Sequence, residues 1–532
     1  MLADVLPDCA DRLADGTFTD LWAQVQRIGG CAHPIRLTGH VDQVDRATGE
    51  IRRQVDSSGM PDGTILVPCG NRRASVCPSC SYLYKGDAWQ IVHAGMVGGN
   101  GVPDSIARHP GLFVTVTAPS FGPVHSRRAN HGPAVTCNTR PGRCRHGRPR
   151  GCKLVHPDDD PHLGAPICID CWDPAGQVVW NRFAPLLWKR TLHLTYRRMA
   201  WHVGLTEGKI RNLVKISCIK VAEGQKRGAI HFHGVLRLDD ATMPDGTWAP
   251  PSQDWATADL LASCWRWAVS HVQIPCPDPH HPTRAEPDAP HPTMIVRPVR
   301  RTKTPSPVPL RPTRWSRTKT PSPDPPHPTR PAPGAPYPTM LVRWGEQADT
   351  RRLTVDGGDL TPDAVAAYLA KYVTKSVTDS GILDRRIRDT DDLWTRCQYL
   401  PDHQATIVRT AWNLAVWPVF RDLNLHGWAH QYGFNGHWIT KSRNYSTTFK
   451  ACRERRRTWA RTHTATGEER EPLDAWGRPE DDDQVLTVAH WQYRAAGYAR
   501  TGDQALADLA ADQARSRREA ARGSEPSEPA AA

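Results

Sequence analysis

Residues 228–240 read GAIHFHGVLRLDD, an apolar run with two histidines at alternate positions. The density of Ile, Val, Leu and Phe favours a buried β-strand. Because side chains two apart on a strand face the same side, His231 and His233 present two imidazoles together. Imidazole is a common metal ligand. The pair therefore predicts either a metal site or two ordinary half-buried histidines.

A second apolar run precedes this one, at residues 214–222, and a short polar turn at 223–228 separates them. This spacing predicts an antiparallel hairpin, which would return Glu223 to the side of the histidines. A divalent cation that handles phosphate prefers oxygen as well as nitrogen ligands. Glu223, His231 and His233 are therefore a candidate Mg²⁺ or Mn²⁺ site.

Two tyrosines one helical turn apart follow downstream, in AVAAYLAKYVTK at residues 364–375. The surrounding pattern predicts a helix in which Tyr368 and Tyr372 share a face, with Lys371 and Lys375 on the adjacent face. Tyrosine is a poor nucleophile at its usual pKa of about 10. A metal that polarises a phosphate and a nearby lysine would activate it. The pattern predicts transfer of a DNA phosphate to tyrosine, or else two core tyrosines.

The composition favours a polyanionic partner. The chain has 532 residues, a formal charge of +13 and a pI of about 9.2. Residues 275–340 contribute +6 of that charge, from ten Lys/Arg and four Asp/Glu. No apolar run approaches the ~20 residues of a membrane span, and the N-terminus lacks a secretory pattern. We therefore expect a cytoplasmic protein. No GxxxxGK[ST] sequence occurs, so a helicase motor is not expected in this chain.

Fifteen cysteines should be reduced in that compartment, and clustered ones predict metal sites. Two CxxC pairs, Cys77/Cys80 and Cys168/Cys171, have the spacing of tetrahedral zinc ligands. Cys31 and Cys69 are candidates to complete the first site. The candidates to complete the second are Cys137, Cys144, Cys152 and His146. The pairing stays open, because one site could instead join both CxxC pairs.

A basic stretch near the C-terminus mixes cations with aromatic residues, as nucleic-acid-binding segments do. Its candidate DNA-binding residues are Lys441, Arg443, Lys450, Arg455 and Arg456, interleaved with Trp438, Tyr445, Phe449 and Trp459. A plain solvated helix face is the alternative.

Residues 275–340 hold 21 of the 48 prolines and contain a duplication. PCPDPHHPTRAEPDAPHPTM (275–294) recurs at 321–340 with 14 of 20 positions identical, at an offset of 46. Such a segment is expected to be disordered and unlikely to pack. It is interpreted as a lengthened surface spacer, with a DNA-touching arm as the alternative.

The order LFVTVTAPS (112–120), HFHGVLRL (231–238) and AAYLAKYVTKS (366–376) resembles the three motifs of the HUH endonuclease superfamily. The closest pattern is that of rolling-circle replication initiators, including the two-tyrosine type. Three further stretches resemble the RepSA-like initiators of actinobacterial plasmids and integrative elements: CGNRRASVCPSCS (69–81), VRWGEQ (342–347) and GFNGHWITKSRNYSTT (433–448). The resemblance covers about residues 25–460, except the proline-rich segment.

This resemblance implies an α+β fold, with an HUH-type antiparallel sheet, flanking helices, zinc-binding segments and a helical C-terminal region. It implies His231 and His233 as Mg²⁺ or Mn²⁺ ligands, with Glu223, and Tyr372 as the main nucleophile with Tyr368 as its partner. Related one-tyrosine initiators keep an acid at the position of Tyr368, so Tyr368 could instead assist water.

The implied activity is metal-dependent nicking of one strand at a replication origin, with a 5′-phosphotyrosine adduct that is later rejoined. Host DNA polymerase would extend the freed 3′ end, and a host helicase would open the duplex. The alternatives are a relaxase or transposase with the same chemistry, and a non-catalytic, zinc-containing DNA-binding regulator.

The expected organisation has four parts. Residues 1–110 form an N-terminal region with a zinc-binding segment, and 111–380 form the nuclease core with insertions at 137–171 and 275–340. Residues 381–465 form a basic helical region, and 466–532 form a polar, partly disordered tail.

Overall fold

The computed structural model describes residues 2–127, 135–280, 339–353, 361–378, 382–383, 385–463, 468–481 and 483–523. Its β-strands within these ranges are β1 (Ile35–Asp45), β2 (Ile51–Asp56), β3 (Ile65–Val67), β4 (Gly111–Val116), β5 (Val214–Gly224), β6 (Ile230–Asp240), β7 (Ile274–Pro277), β8 (Thr339–Val342), β9 (Ala348–Arg352), β10 (Ile439–Lys441) and β11 (Val485–Ala496).

The α-helices in the same ranges are α1 (Leu2–Ala14), α2 (Phe18–Arg27), α3 (Pro78–Val97), α4 (Pro174–His202), α5 (Glu207–Leu213), α6 (Ala258–His271), α7 (Pro362–Thr378), α8 (Thr390–Cys397), α9 (Asp402–Leu414), α10 (Leu425–Trp428), α11 (Phe449–Thr462) and α12 (Thr501–Gly523). The α+β class with antiparallel sheets is thus confirmed.

A five-stranded antiparallel sheet lies at the centre, in the order β10–β5–β6–β4–β9. The even-numbered side chains of β6 pack against α4 and α6, where Trp188 contacts Phe232 and Trp265. The odd-numbered side chains face α3 and α7, with Val235 in that second core. The strand is therefore buried on both faces, which explains why its sequence is almost continuously apolar.

Gly234 follows the second histidine because the sheet and α4 approach closely there. A Cβ atom at this position would lie 2.9 Å from the Trp188 ring and 2.8 Å from the Ile219 carbonyl oxygen. Real Cβ atoms do not tolerate such distances, so a side chain would push α4 away from the sheet. The glycine thus fixes how α4 sits on the strand that carries the histidines.

The C-terminal region differs from the polar tail expected after residue 465. Strand β11 pairs with β1 along its whole length, in a sheet with β2 and β3. Helix α12 packs on α1 and α2, and Asp503 forms a buried ion pair with Arg12 at 2.8 Å. The sequence signals are weak here because β11 is mostly exposed and its partner β1 lies near the other end of the chain. Residues 524–532 lie outside the described ranges.

The boundary at residue 110 also differs from the spatial arrangement. Helix α3 precedes it in sequence but packs on the central sheet beside α7. Strand β10, from the region expected to be helical, adds the outer strand next to β5. Strands β8 and β9 follow each other closely in the chain but join different sheets.

No helix among the described residues is long and apolar enough to cross a bilayer. Residues 281–338, most of the proline-rich segment, lie outside the described ranges, so its disorder and its role as a spacer stay predictions.

Candidate metal and tyrosine site

The β5–β6 hairpin brings the predicted triad together. Glu223 lies directly opposite His231 in the register, as the turn length predicts. Glu223 Oε2 is 3.2 Å from His233 Nε2, and the two imidazole rings stack with centroids 4.5 Å apart. One ligand atom from each of the three residues lies within 4.8 Å of the others. This donor set, two imidazoles and a carboxylate, suits a divalent cation.

The neighbours of the triad orient its rings. Thr115 on β4 lies opposite His233, and its hydroxyl is 2.9 Å from His233 Nδ1, which leaves Nε2 toward Glu223. Gln225 Nε2 is 3.1 Å from His231 Nδ1, and Arg227 Nε donates to Gln225 Oε1 at 2.7 Å. A partner that can accept the Nδ1 proton, as the Thr115 hydroxyl can, fixes the ring orientation of a metal-binding histidine. Sequence reasoning missed these supporting residues.

His231 Nε2 is buried and has no hydrogen-bond partner among the described residues. A buried polar nitrogen without a partner costs free energy unless something binds it. Burial, with His233 and Arg227 nearby, lowers the pKa of His231 to about 3. The ring is therefore neutral, as a metal ligand must be. The residues present fit a bound cation.

Both predicted tyrosines lie against this triad. The Tyr368 ring centroid is 5.0 Å from that of His233, and the Tyr372 centroid is 5.1 Å away. The two tyrosine rings are 4.6 Å apart, as their one-turn spacing on α7 predicts. Burial, and then the Tyr372 hydroxyl, raises the pKa of Tyr368. Neither ring is fully enclosed, because Tyr368 remains 39% exposed.

An open cleft of about 1830 Å³ adjoins the triad and the tyrosine helix. Gln225 lines it and also contacts His231, while Lys371 reaches it from α7. Its other Lys and Arg residues are Arg127, Arg140, Lys226, Arg227, Arg266 and Arg343, against the acidic residues Asp158 and Glu346. Seven cations against two acids make the cleft electropositive. The Lys375 side chain lies outside the described residues.

Comparison with known proteins gives the family of the chain. A family model described as "Replication initiator protein, pSAM2" matches residues 17–287 and 289–512. A "Replication initiator protein" of Streptomyces ambofaciens is 36% identical over 511 residues, which is 94% of this chain and 91% of the relative. The chain belongs to the RepSA family of replication initiator proteins. No solved structure matches it.

The predicted RepSA-like membership is thus confirmed, and the match extends beyond residues 25–460. It includes the proline-rich segment and reaches residue 512. That range contains β11 and much of α12, which the structure folds onto the N-terminal region. The C-terminal part of this RepSA chain is therefore family sequence with a structural role.

Nine of the fifteen cysteines fall into three clusters that could each hold a metal ion. Cys31, Cys69, Cys77 and Cys80 lie together, as proposed for the first site. Cys144 and His146 join Cys168 and Cys171, as allowed for the second. Cys137 and Cys152 lie instead in a third cluster with His125 and His156. Neither of these two histidines was a candidate, although the Cys-x₃-His spacing of Cys152 and His156 was an available signal.

The basic C-terminal stretch is only partly available for DNA. Lys441 turns inward and donates to the Ser446 carbonyl at 2.9 Å, and Arg456 pairs with Asp87. Trp438 and Tyr445 are buried in the core. Arg443, Lys450 and Arg455 are exposed. Two of the aromatic residues in this stretch therefore pack in the core. The sequence alone could not distinguish that role from base stacking.

Proposed function

We propose that this replication initiator nicks one DNA strand at an origin through Tyr372 and later rejoins it by rolling-circle chemistry. The observation that carries the proposal is the shared position of His233. This residue contacts Glu223 within the triad and lies about 5 Å, ring to ring, from both tyrosines. A phosphate bound beside the triad would therefore meet a tyrosine hydroxyl.

The proposed strand transfer needs neither water nor a nucleotide as a reactant. When bound by Glu223, His231 and His233, Mg²⁺ or Mn²⁺ supplies a Lewis acid that polarises the scissile phosphate. Tyr372 Oη forms a bond to phosphorus as the bond to the 3′ oxygen breaks. The tyrosine loses its proton and the 3′ oxygen gains one. The 5′-phosphotyrosine link keeps the bond energy, so a 3′ hydroxyl can later reverse the step.

The neighbouring residues support each part of this reaction. Lys371, next to the nucleophile and at the cleft, suits the negative charge that develops during transfer. Tyr368, one turn away on the same face, can accept a second strand while Tyr372 is occupied. The two-tyrosine arrangement thus permits successive transfers without release of the DNA.

The cleft suits the single strand that leads to the scissile phosphate. Its cations offset the charge of the DNA backbone. The exposed Arg443, Lys450 and Arg455 would contact flanking DNA. The central sheet, with histidines on β6 and tyrosines on α7, supports an HUH-type assignment of the fold. A host helicase and polymerase would complete replication in the cytoplasm.

The decisive experiment uses single-stranded origin DNA, Mn²⁺ and denaturing electrophoresis. The wild type should give a protein–DNA adduct that survives SDS, and Tyr372→Phe should give none while still binding DNA. Tyr399→Phe is the matched control, because Tyr399 is 80% exposed and lies in a different part of the fold. An undiminished adduct in Tyr372→Phe would refute the nucleophile. Absence of any adduct in the wild type would favour a non-catalytic DNA-binding protein.

A further inference from the structure

The two metal clusters of the cysteine-rich insertion alternate along the chain. His125 and Cys137 belong to one cluster, and Cys144 and His146 to the other. Cys152 and His156 then return to the first, and Cys168 and Cys171 to the second. In chain order, the first and third ligand pairs therefore form one cluster, and the second and fourth pairs form the other. Each cluster closes a loop through the other, so neither can form as an independent local finger.

The distances within the clusters match the edges of a zinc tetrahedron. Zinc bonds of about 2.3 Å to sulfur and 2.0–2.1 Å to nitrogen place ligand atoms about 3.8 Å (S–S), 3.5 Å (S–N) and 3.3 Å (N–N) apart. His125 Nδ1 and His156 Nε2 are 3.2 Å apart, and Cys152 Sγ is 3.5 Å from His156 Nε2. In the other cluster, Cys144 and Cys168 are 3.7 Å apart. That separation is far longer than the ~2.05 Å of a disulfide.

The first of these clusters also has the surroundings of a metal site. Asp160 Oδ2 is 2.6 Å from His156 Nδ1, which leaves His156 Nε2 facing the other ligands. A carboxylate behind a histidine is the usual support of a zinc ligand. The Ser126 amide donates to Cys137 Sγ at 3.1 Å, as suits a thiolate. His156 is only 2% exposed, and histidine is buried this fully less often than apolar residues are.

We propose that the cysteine-rich insertion binds two zinc ions as a binuclear module with crossed ligand pairs. His125, Cys137, Cys152 and His156 bind one zinc ion, and Cys144, His146, Cys168 and Cys171 bind the other. With the four-cysteine cluster near the N-terminus, the chain holds three structural zinc ions. The crossed order means that both ions are needed to fix the insertion, because few apolar residues of this segment belong to the hydrophobic cores.

The module also reaches the proposed nicking site. Lys226, in the turn between β5 and β6, donates to the Asp158 carbonyl at 2.9 Å. Gly164 packs against the same turn, where a Cβ atom would lie 2.4 Å from the Lys226 carbonyl carbon. Gln225 of that turn contacts His231. Zinc in the module therefore positions one wall of the cleft. The importance of this wall for nicking rests on the proposed function, whereas the zinc sites themselves do not rest on it.

The test is a zinc count on the full-length chain by native mass spectrometry. A His231→Ala, His233→Ala background excludes zinc bound at the sheet. We expect three zinc ions per chain in that background and at most two after His156→Ala is added, because the crossed order couples the second site of the insertion to the first. His162→Ala is the matched control and should keep three, because His162 also contacts Asp160 but is 72% exposed and belongs to no cluster. Two ions in the background protein, or three in His156→Ala, would overturn the proposal.

X-ray absorption at the zinc edge gives an answer even if His156→Ala does not fold. Three sites share nine cysteines and three histidines, an average of three sulfurs and one nitrogen per zinc. If the histidine-rich cluster binds none, seven cysteines and one histidine remain, or three and a half sulfurs and half a nitrogen. The first ratio supports the crossed module, and the second refutes it whatever the nicking activity.

Discussion

Thr115→Val isolates the support of the metal triad from the triad itself. The Thr115 hydroxyl lies 2.9 Å from His233 Nδ1, while Nε2 faces Glu223. With a cation at Nε2, the Nδ1 proton would be donated to this hydroxyl. Valine keeps nearly the same shape on β4 but removes the acceptor. The strand pairing between Thr115 and His233 uses backbone groups and should survive. The perturbation therefore reaches the metal only through the orientation and basicity of one imidazole.

The expected size follows from that single hydrogen bond. Leaving a buried donor unsatisfied costs about 1–3 kcal/mol. Loss of a supporting partner typically lowers metal affinity about 10- to 100-fold, which is about 1.4–2.8 kcal/mol. The two ranges agree, so Thr115→Val should raise the half-saturating Mn²⁺ concentration for nicking by about 10- to 100-fold. The maximal rate at saturating Mn²⁺ should recover to within about twofold, because every ligand remains.

The assay is cleavage of single-stranded origin DNA over a Mn²⁺ titration. Thr195→Val is the matched control: Thr195 is a fully buried threonine on α4 whose hydroxyl donates to the Thr191 carbonyl at 2.9 Å. It should lose some stability and keep the wild-type Mn²⁺ dependence. An unchanged Mn²⁺ dependence in Thr115→Val would refute the role of this hydrogen bond. A loss of rate that excess Mn²⁺ cannot restore would place Thr115 elsewhere in the reaction.

Three further outcomes are expected. Tyr368→Phe should leave the first cut largely intact but reduce rejoining at least tenfold, as measured by recovery of closed product; equal loss of both steps would contradict its secondary role. Burial lowers the pKa of Lys220 to about 8 from 10.5, so Lys220→Met should raise the unfolding free energy by up to about 3 kcal/mol at pH 7. This gain in unfolding free energy should shrink between pH 8 and 10.5, because Lys220 of the folded wild type loses its proton there. Urea unfolding curves that show no such pH trend would contradict the prediction. Deleting residues 295–340 joins Met294 to Leu341 and should leave a folded, active nickase. The variant should bind DNA more weakly at low salt, because nine Lys/Arg and one Asp are removed. A folded variant that nicks at no salt concentration would show that the segment is more than a spacer.

The strand and helix that carry the triad and tyrosines were predictable because their information is local. Alternation on β6 and one-turn spacing on α7 each specify a face, and a six-residue turn specifies the return of Glu223. The first cysteine cluster could be predicted for a similar reason, because its CxxC pair supplies two of the four ligands of a tetrahedral site. What local pattern could not supply was distance across the fold, such as the approach of α7 to β6.

The metal clusters of the insertion show the limit most clearly. A CxxC pair specifies two ligands and says nothing about which distant residues complete the site. Cys137 and Cys152 were candidates only for the site of Cys168 and Cys171, with the pairing open. Their histidine partners His125 and His156 were missed, because this part of the chain has no periodicity. The tail failed for a related reason: β11 alternates weakly, and its partner β1 lies more than 400 residues earlier.

The turn between β5 and β6 shows how the remote parts converge on the site. His403 and Gln404 of α9 both contact the Lys226 carbonyl, at 2.9 and 3.2 Å. From α4, Gln177 donates to the Arg227 carbonyl at 2.8 Å. The cysteine-rich insertion holds the same turn from a third side, through Asp158 and Gly164. A turn fixed by three separate elements holds Gln225 against His231, so the ligand geometry depends on packing as well as on the hairpin itself. A substitution in α9 or the insertion should therefore weaken metal binding without contacting the metal.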